Sequence, residues 1–463
     1  MMTQRSATTG RRRRPSSSRR PAPRRHPTGC PLITALLVLL LVPGLVACGG
    51  AAPPPTPVPT PGPSPTVTVP FEMPATVSLV GRFRPQELAL LDEQIARFEA
   101  ANADILVEIV ELDGDAGSPR QVLEEALAAG DRPLDVLVLD DAWLPEFAAQ
   151  GWLAPLDDHV RAGGVDMGAF FPGAVEASMF EGQVWALPWI AEGGLLYYRS
   201  DLLADYGLEV PATWPEVQTT ALDLRRQAGL PQGYVWQGAA YESLTCNTLE
   251  FLWAFGGRVL DEEGRVVFDS PENQAALQQM LDLVASGASP EDIASYREGT
   301  ALNSLAASES ALMRNWPYAW DRLQAADSAV RGAVGAAPLP ASCLLSQVLA
   351  LSADSMVPEP AFRLLQFLVA EEQQLQLARD LGRPPALRQV YEDPQLLADR
   401  PFFGTLRPVL DRARPRPRSA VYAQVSEAIY SEVNRMLAGE QSADETAVRV
   451  QRRIEAVLGA GLP

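Results

Sequence analysis

From residue 77 onward, short apolar runs alternate with amphipathic stretches. Residues 77–80, 105–112 and 134–139 are apolar enough and short enough to be strands, the last ending at Asp140. Between them, 86–101 places Leu88, Leu91, Ile95 and Phe98 on one helical face, and 121–129 forms a second helix. Strands alternating with helices predict an α/β fold with a mostly parallel sheet and ligands at the carboxyl ends of its strands. Asp140 lies at one such end. Residues 143–150 form a short helix closed by Gly151. The chain then organises around 182–217, GQVWALPWIAEGGLLYYRSDLLADYGLEVPATWPEV. This reads as a strand with Trp185 and Trp189, a turn at Pro188 and a Glu192-Gly193-Gly194 corner. An apolar strand at 195–198 and a helix stopping at Gly207 complete it. Residues 211–310 are mainly helical, with a β-like insert at 258–268 around a Glu263-Gly264 turn, and 333–336 is a short strand. The C-terminal stripes Val425-Ile429-Val433-Leu437 and Val450-Ile454-Val457 read as core-facing helices.

The first 75 residues follow a different pattern. An Arg/Pro/Ser-rich head (1–28) precedes the apolar run 31–47, which is short and interrupted for a membrane span, so 1–47 reads as a secretory signal. Its paired arginines leave open twin-arginine export. Residues 48–75 are dense in Pro and Thr, bury no core and favour extended polyproline conformation. At about 3.1 Å per residue, roughly 25 residues span up to about 75 Å. This is a tether.

Composition narrows the function. With 463 residues, 47% of them apolar, the chain can build two domains. The net charge is −19, but nine arginines and no acid precede residue 26, leaving 38 − 9 = 29 arginines against 57 acids, about −28. Such a body is a poor partner for nucleic acid or anionic lipid. The absence of lysine excludes a P-loop and Schiff-base chemistry. The only histidines are His26 and His159, and no G-x-S-x-G elbow accompanies the latter, so a Ser-His triad and the usual zinc sites are excluded. Asp157-Asp158 and Asp113-Gly114-Asp115 lack the full calcium-loop pattern and read as solvated turns. No enzyme activity, cofactor or metal is expected. The candidate chemistry is a carboxylate, Glu192, beside two glycines and flanked by tryptophans, where backbone and charge can approach a polyhydroxylated ligand. In 311–320, ALMRNWPYAW, the aromatics beside a proline read either as a core cluster or as a lobe edge that stacks on sugar faces.

Several pieces in order resemble the extracellular solute-binding proteins of bacterial ABC sugar importers, nearest the trehalose/maltose-binding group. They are DVLVLDDAWLPEFAAQGWLAPLDD (135–158), PWIAEGGLLYYRSDLL (188–203), YESLTCNTLEFLWAFGG (241–257), MRNWPYAWDRL (313–323), RPPALRQVYEDPQL (383–396) and ARPRPRSAVYAQVSEAIYSEV (413–433). The resemblance implies a two-lobed periplasmic-binding-protein fold with discontinuous lobes and a hinge. The first lobe would hold 76–187 and about 327–378, the second 188–326 and about 379–463. It also implies that Glu87, Arg120 and Asp140 are first-lobe ligands for sugar hydroxyls, although Glu87 and Arg120 read equally as plain surface helix. Glu192 replaces the family's usual Asp, Trp316 and Tyr318 match stacking aromatics, and Arg416 matches an arginine of the C-terminal arm. Leu45-Val46-Ala47-Cys48-Gly49 resembles the lipobox of bacterial lipoproteins, which implies cleavage before Cys48 and its lipidation in the cell envelope. With Cys30 lost with the signal and Cys48 lipidated, Cys246 and Cys343 are expected to form a disulfide near the hinge. The family's C-L-G-G-W turn over the ligand reads Cys343-Leu344-Leu345-Ser346-Gln347 here, which shifts the expected preference. The implied partners are a di- or oligosaccharide and the permease's transmembrane subunits, with the protein itself a monomer. Two other readings are a binding fold with a decayed or re-purposed site and a secreted glycosidase using paired carboxylates.

Overall fold

The computed structural model describes residues 73–112, 118–130 and 133–460; the signal, Cys48, nearly all of the tether and Asp113-Gly114-Asp115 lie outside them. Two sheets carry the body. The first holds β1 (Ala75–Gly81), β2 (Ile105–Glu111), β3 (Val136–Asp140), β4 (Ala186–Gly193) and, last in the chain, β9 (Leu344–Leu351), in the order β2-β1-β3-β9-β4. The β1 to β3 strands run parallel, as their helical connections require, while β9 runs antiparallel to both β3 and β4. The carboxyl ends of β3 and β4 therefore meet the amino end of β9 along one edge.

The second sheet orders β8 (Val334–Pro338), β5 (Leu195–Arg199), β7 (Ser310–Asn315) and β6 (Gln232–Val235). Helices Pro358–Leu368, Glu371–Leu381 and Phe402–Leu410 pack on the core that includes Val77, Leu79 and Leu349. Helices Glu242–Ala254, Pro271–Ala285, Tyr422–Leu437 and Ala443–Ala460 pack on the core around Trp214, Trp236 and Phe251.

Sheet membership moves the crossing points from where the sequence suggests them. Pro188 does not turn the chain. It sits inside β4 opposite Val348, next to Trp189, the extra β4 residue left between the Gln347–Ile190 and Val348–Pro188 pairs, and such a bulge tolerates a residue without an N–H. The first crossing is at Gly193-Gly194. The 334–338 strand pairs with β5 in the second sheet instead of joining the first lobe, and residues 402–410 pack with the first core.

Gly194 is bonded on both sides, its N–H donating to the Cys343 carbonyl (3.1 Å) and its carbonyl accepting from Ser342 Oγ (2.7 Å). A side chain there would strike the fully buried ion pair of Glu250 and Arg314 (2.6 Å), with Glu250 Oε1 only 2.1 Å from the Cβ position. Glycine is required for close approach, not for turn geometry.

The Leu345-Ser346-Gln347 turn is corrected to strand. Leu345 pairs with Glu192 and Ser346 with Ala191, and Ser346 donates from N to Asp141 Oδ1 and from Oγ to the Ile190 carbonyl (each 2.8 Å). Extended backbone accepts any Cβ, so the missing glycines cost this segment nothing. The 258–268 insert closes only the Leu260–Val266 bridge, and Asp157-Asp158 forms the first turn of helix Asp157–Gly163, where acids suit the helix dipole. Among the described residues no helix is long and apolar enough to cross a membrane, and no cluster of His, Cys, Asp and Glu is placed to hold a metal.

Candidate functional site

At the edge where β3, β9 and β4 meet, the polar side chains are organised by arginines. Helix Pro85–Ala101 starts with proline in its first turn and a Glu87 that reaches back to the Arg84 N–H (Oε2, 2.8 Å), which caps the helix. The other Glu87 oxygen lies 3.0 Å from Arg383 Nε, an ion pair outside hydrogen-bond geometry. Arg383 also donates from Nη1 to Glu192 Oε1 and from Nη2 to Gln347 Oε1, each 2.7 Å. It follows Gly382, the left-handed cap (φ 64°) that ends helix Glu371–Leu381. One guanidinium thus brings together a helix start, the edge strand β4 and its neighbour β9. Periodicity gave no signal for it.

Beside this row, Arg416 is buried (2% exposed). Its Nη2 donates to Asp140 Oδ1 and to Asp141 Oδ1 (2.6 Å), and its Nη1 to Glu242 Oε1 (3.0 Å). Burial pushes the Asp141 carboxyl up, with Arg416 pulling it back. Burial likewise lowers Arg418, with Asp141 in part offsetting it, to about 10. Arg416 joins the first sheet to helix Glu242–Ala254, so both of its terminal nitrogens are engaged by protein, while its buried Nε has no partner among the described residues. Arg120 is similarly engaged, holding Glu146 through Nη2 at 2.5 and 2.6 Å.

The aromatic pair separates. Trp316 is 4% exposed, and the Arg314 guanidinium covers its ring at 3.8 Å. In this conformation Trp316, expected to stack on sugar, presents little of its ring, since it is buried and the Arg314 guanidinium lies over one face. Tyr318 is 43% exposed. Its hydroxyl pKa is pushed up to about 12 by partial burial, then by the charges of Glu298 and Glu192, with Arg314 opposing. Glu298 itself accepts from Tyr241 (2.5 Å) and Ser243. Tyr318 therefore feels one carboxylate on β4 and one at the start of helix Glu298–Ala306.

Several atoms remain without a partner among the described residues: Glu192 Oε2, Asp140 Oδ2, Gln347 Nε2 and the Tyr318 hydroxyl. Two charged acceptors, an amide donor and a hydroxyl suit a ligand rich in hydroxyls, since carboxylates make charge-assisted bonds to such donors. A depression of about 310 Å³ lies on the Glu87 side of Arg383, lined also by Arg84, Asp321, Asp380 and Arg400, and none of Glu192, Asp140, Gln347 and Tyr318 lines it. A larger one, about 400 Å³, lies against 414–418 and 258–264, away from Glu192 and Gln347.

The expected disulfide is corrected: Cys246 and Cys343 are both buried free thiols. Burial foremost, then a hydrogen bond with Cys246, pushes the Cys343 thiol well up. That suppresses the thiolate through which disulfides form.

Three comparisons bear on this arrangement. Residues 84–375 match the family described as bacterial extracellular solute-binding protein. A probable ABC transporter-binding protein of Deinococcus radiodurans is 32% identical over 373 residues, 77% of this chain and 87% of that protein. A maltose-bound MalE3 of T. maritima superposes with a TM-score of 0.72 at 36% identity, covering 83% of this chain and all of the other. The GacH receptor of Streptomyces glaucescens, solved unliganded and with acarbose, gives 0.70 at 25% identity, covering 84% of this chain and 99% of its own.

Proposed function

Since this chain belongs to the bacterial extracellular solute-binding proteins, we propose that it is the substrate-binding component of an ABC importer for a di- or oligosaccharide. The observation that carries this reading is the set of unfilled polar atoms on one sheet edge, Glu192 Oε2, Asp140 Oδ2 and Gln347 Nε2, with the exposed Tyr318 near enough to Glu192 to feel its charge. Glu87, Arg120 and Arg416 act in it as holders, their groups already engaged by protein. The relatives that bind maltose and acarbose support a ligand of two or more rings. The two sheets close on it as lobes about the Gly194 crossing. The protein binds its sugar and passes it, unaltered, to the permease's transmembrane subunits. Cys48 carries the lipid anchor, residues 48–75 hold the monomeric body off the membrane, and export precedes both.

The test is a thermal-shift screen over trehalose, maltose, maltotriose and longer maltodextrins, with the sugar recovered and analysed afterwards. Ligand at a hundredfold its Kd stabilises by about 2.7 kcal/mol. For a body of about 390 residues this is about 3 °C. A shift with unchanged sugar supports the reading. Cleaved sugar, or no shift with any member, rejects it.

A further inference from the structure

We infer that Arg383 is the positioning residue of the ligand site: it fixes the rotamers of Glu192 and Gln347 so that Glu192 Oε2 and Gln347 Nε2 face the ligand. The inference rests on the proposed sugar-binding reading.

Three elements meet at the guanidinium. Nη1 donates to Glu192 on β4 and Nη2 to Gln347 on β9, while Nε lies 3.0 Å from Glu87 Oε1 at the start of helix Pro85–Ala101, an ion-pair contact outside hydrogen-bond geometry. The fork is rigid and planar, so two directional bonds and one close charge hold it in one orientation. Each acceptor in turn loses freedom. Glu192 and Gln347 each bind Arg383 through Oε1, which leaves one defined polar atom apiece, an acceptor and a donor. Glu87 is spent entirely, with Oε2 on the Arg84 amide. The row also places two carboxylates on one cation. Without the guanidinium, Glu87 and Glu192 would repel each other, and Glu192, one methylene longer than an aspartate, would have nothing to hold it. Preorganisation of this kind lowers the rotamer entropy lost on binding. Lysine cannot replace the fork, because one ammonium reaches three separated acceptors less well.

The experiment is a double-mutant cycle of Arg383→Met and Glu192→Gln, with Arg383→Lys alongside, in the full mature body. Maltotriose, maltose and trehalose are the titrated probes. Arg383→Met is expected to weaken binding about tenfold or more, Arg383→Lys to recover part of that, and the double variant to lose no more than the weaker single. Additive losses would overturn the inference, as would unchanged affinity in Arg383→Met. The same cycle read as melting temperature without sugar tests the clamp by itself: the two substitutions must again be non-additive, and additivity rejects it. If the unaltered protein binds no probe, the sugar reading fails while the thermal cycle still decides the role of Arg383.

Discussion

Replacing Gly194 with alanine would drive a methyl group into the ion pair that underlies the crossing between the two sheets. The Cβ position lies 2.1 Å from Glu250 Oε1, 2.6 Å from Arg314 Nη2 and 3.1 Å from Arg314 Cζ. Ordinary contact begins near 3.4 Å, so Glu250 must retreat by more than an ångström. Both partners are fully buried and their contact is 2.6 Å. Stretching it to about 4 Å lowers the attraction from about 6 to about 4 kcal/mol at an effective dielectric of about 20. Full separation of a buried pair costs about 3–5 kcal/mol. The expected loss is therefore about 2–5 kcal/mol. Unfolding entropy of about 2.1 cal/mol/K per residue over about 390 residues converts this to a fall in melting temperature of about 2.5–6 °C. Scanning calorimetry should find that fall. Gly299→Ala serves as the control: nothing lies within 4 Å of its Cβ position, and alanine suits its helix Glu298–Ala306, so it should hold or raise the melting temperature. A Gly194→Ala protein that melts within 1 °C of the parent would refute the reasoning.

Three further outcomes are expected. Glu192→Gln should weaken sugar binding by about 10- to 100-fold, the value of a charge-assisted bond, whereas Arg120→Ala should destabilise the fold yet leave affinity within about threefold, as titration of both variants would show. Non-reduced protein should yield two thiols to Ellman's reagent only after denaturation, and an intact fold that reacts at once would contradict the burial of Cys246 and Cys343. In acid, Asp201 is held below its usual pKa by the Arg199 hydrogen bond, and Asp393 by the Leu396 N–H and then Arg379. The folded state therefore binds these protons less readily than the unfolded chain. Their stabilisation is full above the ordinary carboxylate pKa, near 3.8, and is lost as pH falls through the lower folded values. Asp201→Asn should flatten that acid limb in a melting-temperature profile, and an unchanged limb would sink the assignment.

The periodic pattern of apolar residues settles much of this protein without tertiary information. The strands near 77–80, 105–112 and 134–139, the helix over 86–101 and the C-terminal stripes are present as read, because burying an apolar face depends on spacing along the chain. The position of Asp140 at a strand end follows from the same pattern, and the α/β alternation implies the parallel sheet. Composition excluded lysine chemistry. What the pattern could not decide was every statement about partners. Pro188 reads as a turn until β4 is seen to bulge beside it at Trp189, and Leu345-Ser346-Gln347 reads as a loop until it is paired with β4 and, at Gln347, with β3 as well. Trp316 reads as a stacking surface until Arg314 covers it, and Arg383 carries no local signal at all. Most of these properties belong to contacts between residues tens to hundreds of positions apart, and Arg314, though two positions from Trp316, is itself paired with Glu250 64 positions away. Hydrophobic periodicity is a property of one element at a time, whereas the pairing of a buried charge depends on which distant group the packed fold brings within about 3 Å.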